Sequence, residues 1–248
     1  MNDATGVVRT VLEHVQIDRH SGLIHPAALD SASVVALFGG SGELQEGRGR
    51  GAIRVVDAPI GRVVVRHYRR GGLIARLSRD WFFWNGADAT RPFREFRITV
   101  QLRAAGLPVP EAMAARYLRT GLGYRADLAT REIPGARTLA DRLADTVDRA
   151  TIDWCAIGTL IARFHALGLW HADLNAHNLL FDRDGRLSLI DFDRARFIAP
   201  FSTSLQGNLD RLARSLRKLG HGDRVAGDDW VHLRQGYEAA MHRLAGCR

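Results

Sequence analysis

The spacing of hydrophobic and polar positions changes near the middle of the chain. Ile53, Val55 and Val56 form one β-branched run and Val63, Val64 and Val65 a second, with Pro59-Ile60-Gly61 between them. Branched side chains fit a pleated surface, and a Pro/Gly break between two such runs predicts a hairpin. Gly47, Gly49 and Gly51 stand before it as a glycine-rich turn. Trp81-Phe-Phe-Trp84 is an aromatic run closed by Asn85-Gly86, a turn-forming pair. From Pro92 to Ala105 the spacing becomes helical, with Phe93, Phe96, Val100 and Leu102 apolar and Gly106 as a stop. Leu107-Pro-Val-Pro110 breaks that helix, and short strand-like segments run to Ile133. Residues 1 to about 45 are mixed and weakly patterned.

Pro134-Gly135 reads as a joint, and helical spacing dominates beyond it. A short helix is predicted over Leu139–Ala144. A longer one runs from Ile152 to Leu167, with Ile152, Cys155, Ala156, Leu160, Phe164 and Leu167 on one face and Gly168 as its stop. Leu179–Phe181, the Asp184-Gly185 turn and Leu187–Ile190 predict a tight hairpin. In 208–218, Leu209, Leu212 and Leu216 share one face and the basic groups lie elsewhere, as in a surface helix covering the lobe or, alternatively, a basic interfacial helix. A strand-rich half followed by a helix-rich half predicts an α+β chain of two lobes rather than one doubly wound sheet. Residues 1–134 form a small antiparallel-sheet lobe with one main helix, the first 35 or so unassigned, and 135–248 a larger helical lobe.

Composition narrows the setting. The chain has 248 residues, 46% of them hydrophobic, ample for a core. No stretch approaches 18 consecutive apolar residues, and the amino terminus carries an early acid and no apolar core of a signal peptide. Cys155 and Cys247 stand far apart without a metal-ligand pattern, which suggests a reducing compartment. The expectation is a soluble intracellular protein. Lys218 is the only lysine among 35 basic residues, and the formal net charge is +8. A Walker A loop needs Gly-Lys-Ser/Thr, so that phosphate-binding mode is excluded. Arginine forks suit carboxylate and phosphate, and a positive surface favours acidic sugars and anionic lipid. No nucleic-acid-binding motif accompanies the charge.

The chemistry is concentrated in His171-Ala-Asp-Leu-Asn-Ala-His-Asn178 and Ile190-Asp-Phe-Asp193. Asp173 and Asn178 are five positions apart, and the 18 positions from Asp173 to Asp191 leave room for one hairpin. Phosphoryl transfer needs an acid to orient the attacking hydroxyl and accept its proton. An amide and a second acid then hold magnesium on the ATP phosphates. Upstream, Gly47, Gly49 and Gly51 could lay backbone amides over phosphates. Arg66 ends a Val-rich strand where kinases carry lysine, and Glu95 is its candidate partner. Ala172 departs from the arginine of the usual His-Arg-Asp, which argues against control by a phosphorylated loop. Asp193 replaces the glycine of Asp-Phe-Gly.

The strings RHYRRGGL (66–73), FREF (93–96), GLPVP (106–110), IPGA (133–136) and HADLNAHNLL (171–180) resemble the 3-deoxy-D-manno-octulosonic acid (Kdo) kinases, a lipopolysaccharide-core group within the protein-kinase-like fold. The resemblance spans roughly residues 35 to 220. It implies a bilobal enzyme, peripheral to the cytoplasmic face of the inner membrane. Such an enzyme moves the γ-phosphate of ATP to the 4-hydroxyl of Kdo on a lipid A precursor. By that match Asp173 is the base, and Asn178 and Asp191 are magnesium ligands. Glu132 and Ile133 join Gly47, Gly49, Gly51, Arg66 and Glu95 as nucleotide contacts. Arg69, Arg70, Asn175 and His177 are candidates for the acceptor. Trp81–Trp84 either meets the lipid–water boundary or packs inside. Partners are the Kdo-bearing lipid and the anionic membrane surface, with no obligate protein partner evident. A heptose or antibiotic kinase of the same fold, and a pseudokinase that lost turnover with its lysine, remain alternatives.

Overall fold

The computed structural model describes residues 10–39, 43–45, 53–69 and 80–246, with backbone alone at 43–45. They fall into two compact units that divide between Ile133 and Pro134. The first contains β1 (Leu12–Gln16), β2 (Ser21–Pro26), α1 (Ser31–Gly39), β3 (Glu43–Gln45), β4 (Ile53–Ala58), β5 (Gly61–His67), β6 (Phe82–Phe83), α2 (Arg91–Ala104), β7 (Ala112–Thr120) and β8 (Gly123–Arg131). All strands join one antiparallel sheet in the order β1-β2-β7-β8-β5-β4-β3, with β6 paired to β8. The two β-branched runs form the β4–β5 hairpin, Val56 opposite Val63.

Alternation along the strands sorts side chains to two faces. Val63, Val65 and Ala129 cluster with Val34, Leu37 and Phe38 of α1. Leu128, Tyr117 and Tyr124 cluster with Phe93 and Phe96 of α2. Leu128 and Ala129 are neighbours on β8, so the two helices cover opposite faces. Phe93 and Phe96 are fully buried, each stabilising by roughly 1.5–3 kcal/mol.

The sheet is larger than its sequence pattern implies. β1, β2 and α1 occupy the weakly patterned residues, and two nine-residue strands, β7 and β8, replace the short segments expected before Ile133. β2 lies between β1 and β7, with Leu23 in one cluster and Ile24 in the other. A strand buried on both faces shows no alternation. β7 and β8 fill buried positions with alanine, a weak strand former, and a register shift between Ala112 and Ala114 interrupts the period.

The second unit contains β9 (Arg137–Thr138), α3 (Leu139–Ala144), α4 (Thr146–Ala150), α5 (Trp154–Ala166), β10 (Leu169–Trp170), β11 (Leu179–Phe181), β12 (Leu187–Leu189), β13 (Arg196–Phe197), α6 (Gln206–Lys218), α7 (Gly222–Ala226) and α8 (Asp228–Gly246). The Asp153 carboxylate caps α5, accepting from the Ala156 N–H at 2.9 Å. Gly168 ends the helix at φ +77, where a Cβ would lie 2.1 Å from the Ile198 carbonyl oxygen. Only glycine meets both demands. α5 and α8 cross through glycine. A Cβ on Gly158 would lie 1.9 Å from the Leu233 carbonyl oxygen, and one on Gly236 would lie 2.2 Å from that of Cys155. Leu209, Leu212 and Leu216 are the buried face of α6.

Candidate active site

A helix stop, a loop and a hairpin bring Asp173, Asn178 and Asp191 to one place through one side-chain and one backbone hydrogen bond. The Asn178 side chain donates to the Asp173 carbonyl oxygen at 2.8 Å, and the Ile190 N–H donates to the Asn178 carbonyl at 3.1 Å. Register in the β11–β12 hairpin, Leu179 opposite Leu189, then delivers Asp191 beside the loop. Asp191 sits at φ +66, a left-handed conformation that a non-glycine residue rarely holds and that tends to gather at functional sites. Asn175 shapes the same loop, accepting from the His177 N–H at 2.8 Å and donating to the Asp173 carbonyl at 3.1 Å. The carboxylate of Asp173 is exposed. His177 Nδ1 is the buried side-chain nitrogen or oxygen left without a partner among the described residues.

His171 is the fastener beneath the loop. Its Nδ1 accepts from the Asp173 N–H at 3.1 Å, so Nε2 carries the proton donated to the Ile190 carbonyl at 3.1 Å. One neutral ring therefore ties the residue before Asp191 to the backbone of Asp173. Burial lowers the His171 pKa, against the opposing bond to Ile190, and keeps the ring neutral. Asn208 of α6 holds the His171 backbone from both sides: its Oδ1 accepts from the N–H at 3.1 Å and its Nδ2 donates to the carbonyl at 2.5 Å. The same Oδ1 lies 3.2 Å from His165 Nε2, and His165 Nδ1 lies 2.9 Å from the Tyr237 hydroxyl. Ser215, two turns beyond Asn208, accepts from the Ala176 N–H at 3.2 Å. Asn208, Ser215, His165 and Tyr237 escaped the sequence reading. Their signal was polar residues set into otherwise apolar helix faces.

This wiring has a pH signature. Burial pushes the His165 pKa down to about 4, although the Asn208 bond opposes it. Unfolded histidine titrates near 6.5, so between pH 6.5 and 4 the unfolded chain binds more protons and stability falls as pH falls. His165 alone should remove ~3 kcal/mol across that window. His67, in the first unit, runs the other way. Its bond to Asp127 at 2.8 Å raises its pKa, so its contribution is lost as pH rises through that value. Urea midpoints measured from pH 7 to 5 should fall less steeply for His165→Gln than for the parent. An unchanged slope would mean that His165 does not control acid sensitivity.

In the first unit the structure brings Arg66 and Glu95 together. Arg66 Nη2 donates to both Glu95 carboxylate oxygens, at 2.6 and 2.5 Å, and the Tyr68 hydroxyl donates to Oε2. Strand alternation turns Arg66 away from Val63 and Val65. Glu95 lies on the buried face of α2 with Phe93, Phe96 and Thr99, only 3% exposed. A carboxylate so buried needs a fixed cation, and a planar guanidinium supplies one. Glu132 pairs with Arg62 at 3.2 Å, and the Ile133 backbone groups have no hydrogen bond among the described residues. Arg69 is exposed. Gly47, Gly49, Gly51 and Arg70 lie outside the described residues.

The donors fit magnesium. Asn178 and Asp191 offer hard oxygens from two tied segments, and magnesium uses one or two such ligands and completes its shell from phosphates and water. Among the described residues no three His, Cys, Asp or Glu side chains gather into an all-protein metal cage.

Comparison with known proteins shows the family and the fold. The family model for lipopolysaccharide kinases (Kdo/WaaP) matches residues 41–237. The chain is 50% identical over 198 residues to a 3-deoxy-D-manno-octulosonic acid kinase of Stenotrophomonas maltophilia (strain R551-3), covering 79% of this chain and 78% of that one. A protein of the same name from Xanthomonas campestris pv. campestris (strain B100) matches with the same identity and coverage. Among solved structures, WaaP in complex with acyl carrier protein superposes with a TM-score of 0.55 at 17% identity, over 83% of this chain and 81% of that one. That likeness shows the protein-kinase-like fold. The chain belongs to the lipopolysaccharide kinase (Kdo/WaaP) family.

Proposed function

We propose that this protein transfers the γ-phosphate of ATP to the 4-hydroxyl of Kdo on a Kdo-bearing lipid A precursor, in lipopolysaccharide inner-core biosynthesis. The observation that carries the reading is identity at half of 198 aligned positions to Kdo kinases, in a chain whose loop ties an exposed carboxylate to Asn178 and the segment bearing Asp191. Asp173 orients the acceptor hydroxyl and takes its proton as the oxygen attacks phosphorus. Asn178 and Asp191 would hold Mg2+, which would neutralise charge on the phosphate oxygens. Arg66, already aligned by Glu95, reaches the α- and β-phosphates in place of lysine. Gly47, Gly49 and Gly51 cover the phosphates, and Glu132 and the Ile133 backbone receive the base. Asn175, His177, Arg69 and Arg70 face the acceptor.

A lipid-anchored acceptor places the enzyme at the cytoplasmic face of the inner membrane, as a peripheral protein. No helix among the described residues is long and apolar enough to cross a membrane. The aromatic run supports a surface contact: Phe82 is buried, whereas Phe83 is 65% exposed and Leu122, in the adjoining β7–β8 turn, is 77% exposed.

The test is transfer of labelled γ-phosphate from Mg-ATP to the Kdo-bearing lipid, presented in detergent and in anionic vesicles, beside a lipid A precursor lacking Kdo. Label on the Kdo-bearing lipid alone, with protein sedimenting with the vesicles, is the expected result. Label on both lipids or on neither would overturn the acceptor assignment. Arg66→Ala should weaken ATP use at least about tenfold, since a charge-assisted bond to phosphate is worth roughly 1.5–3 kcal/mol. An unchanged dependence on ATP would remove Arg66 from the nucleotide site.

A further inference from the structure

The residue before His171 is a tryptophan held against two arginines. Trp170 pairs with Arg196 across the β10–β13 ladder, and the Arg196 guanidinium lies 4.6 Å from the indole centroid. Arg211, from α6, lies 5.3 Å from the same ring. Three elements thus converge on one indole: the strand that runs into the catalytic loop, the strand that follows Asp191, and the helix that anchors His171 through Asn208. Many arginines of this unit are paired with acids, as in Arg224–Asp229, Arg137–Asp148 and Arg234–Glu238. Arg196 and Arg211 are not: among the described residues neither has a carboxylate within 4.0 Å. Arg196 is exposed and Arg211 half-buried. Contact with the indole face restrains each guanidinium without using its N–H donors, which stay available to a ligand.

The charge also stands in a telling place. Arg211 stands one turn beyond Asn208, whose side chain holds the His171 backbone, and the ring it covers directly precedes His171, so the cation lies beside the loop that bears Asp173. An acidic acceptor that brings a hydroxyl to Asp173 is repelled by its carboxylate, by that of Asp191 and by the nucleotide phosphates. A fixed cationic pair beside the loop offsets that repulsion and orients the sugar at the same time.

We propose that Arg196 and Arg211, stacked on Trp170, form the anion-recognition subsite that binds the carboxylate of the acidic acceptor sugar. This inference rests on the Kdo kinase reading for its ligand. In it, Arg69 and Arg70 are left to other anionic groups of the acceptor.

Steady-state rates on the Kdo-bearing lipid should show the acceptor KM raised at least about tenfold in Arg211→Ala and in Arg196→Ala, with the KM for ATP unchanged. For the parent enzyme, the carboxyl methyl ester of the acceptor should impose a similar penalty, and the variants should lose nothing further on the ester. Arg211→Gln serves where Ala lowers the melting temperature. Variants with an unchanged acceptor KM, or with a full additional penalty on the ester, would overturn the subsite. Sensitivity that disappears instead with an acceptor lacking the lipid A phosphates would assign the pair to phosphate and overturn it too. Binding of free Kdo and its methyl ester to the parent protein without ATP separates the two readings. Selective binding of the free acid, lost in Arg211→Ala, supports the subsite even if no phosphate is transferred, and equal binding of acid and ester defeats it even if transfer is efficient.

Discussion

Replacing Asp173 by alanine should lower kcat by about a thousandfold or more while leaving the melting temperature and nucleotide affinity close to those of the parent. The asymmetry follows from how the residue is used. Its N–H donates to His171 and its carbonyl accepts from Asn175 and Asn178, so the backbone carries the loop geometry. Its carboxylate is exposed and has no hydrogen bond or ion pair among the described residues. Under the proposed mechanism, truncation to alanine thus removes the proton acceptor without breaking an internal contact. General-base catalysis typically contributes a hundredfold to ten-thousandfold, and here the same group orients the hydroxyl, which places the loss in the upper part of that range. Initial rates, together with calorimetric binding of a non-hydrolysable ATP analogue, check the expectation. A folded variant that binds nucleotide and keeps more than a tenth of the activity would remove Asp173 from the base role.

The geometry of the candidate loop was legible because its residues lie close together in the chain. An acid, an amide five positions on and a second acid after one hairpin leave few alternatives, and β11, the turn and β12 fall where that spacing requires. The β4–β5 hairpin and α2 were legible for a different reason. The hairpin shows as two β-branched runs about a Pro/Gly break, and α2 has one buried face, so its period of 3.6 shows directly. The period fails where burial is two-sided or side chains are small. β2 is buried at successive positions, the polar Ser21 and His25 included, so it shows no alternation, and Ala112–Ala115 hides a register shift inside a strand. Long-range polar contacts leave even less trace. Nothing in the local spacing says that Asn208 clasps the backbone of His171, 37 positions earlier, or that Trp170 gathers Arg196 and Arg211. Such pairs depend on helix placement, which is set by packing rather than by propensity.

That placement leads to the second large effect. Gly158→Ala and Gly236→Ala should each destabilise the protein by ~3 kcal/mol or more. A methyl at Gly158 would lie 1.9 Å from the Leu233 carbonyl oxygen and 2.8 Å from the Tyr237 nitrogen, and one at Gly236 would lie 2.2 Å from the Cys155 carbonyl oxygen. These are helix backbone atoms, with no rotamer in which to move aside, so α5 and α8 must separate. Overpacking of this kind commonly costs about 1–3 kcal/mol, and more when the neighbour is rigid. Separation also stretches the bond between Tyr237, beside Gly236, and His165 on α5. His165 shares Asn208 with the backbone of His171, so the strain is expected to reach Asp173 and to lower kcat along with stability. Gly207→Ala is the opposing control. Gly207 lies in α6, where a Cβ would meet nothing within 4 Å, and alanine there should add about 0.5–1 kcal/mol by lowering the entropy of the unfolded chain. Denaturant midpoints of the three variants therefore bracket the parent from both sides. Midpoints for Gly158→Ala and Gly236→Ala that coincide with that of Gly207→Ala would mean that α5 and α8 cross with room to spare, and the line of force from α8 to the catalytic loop would lose its origin.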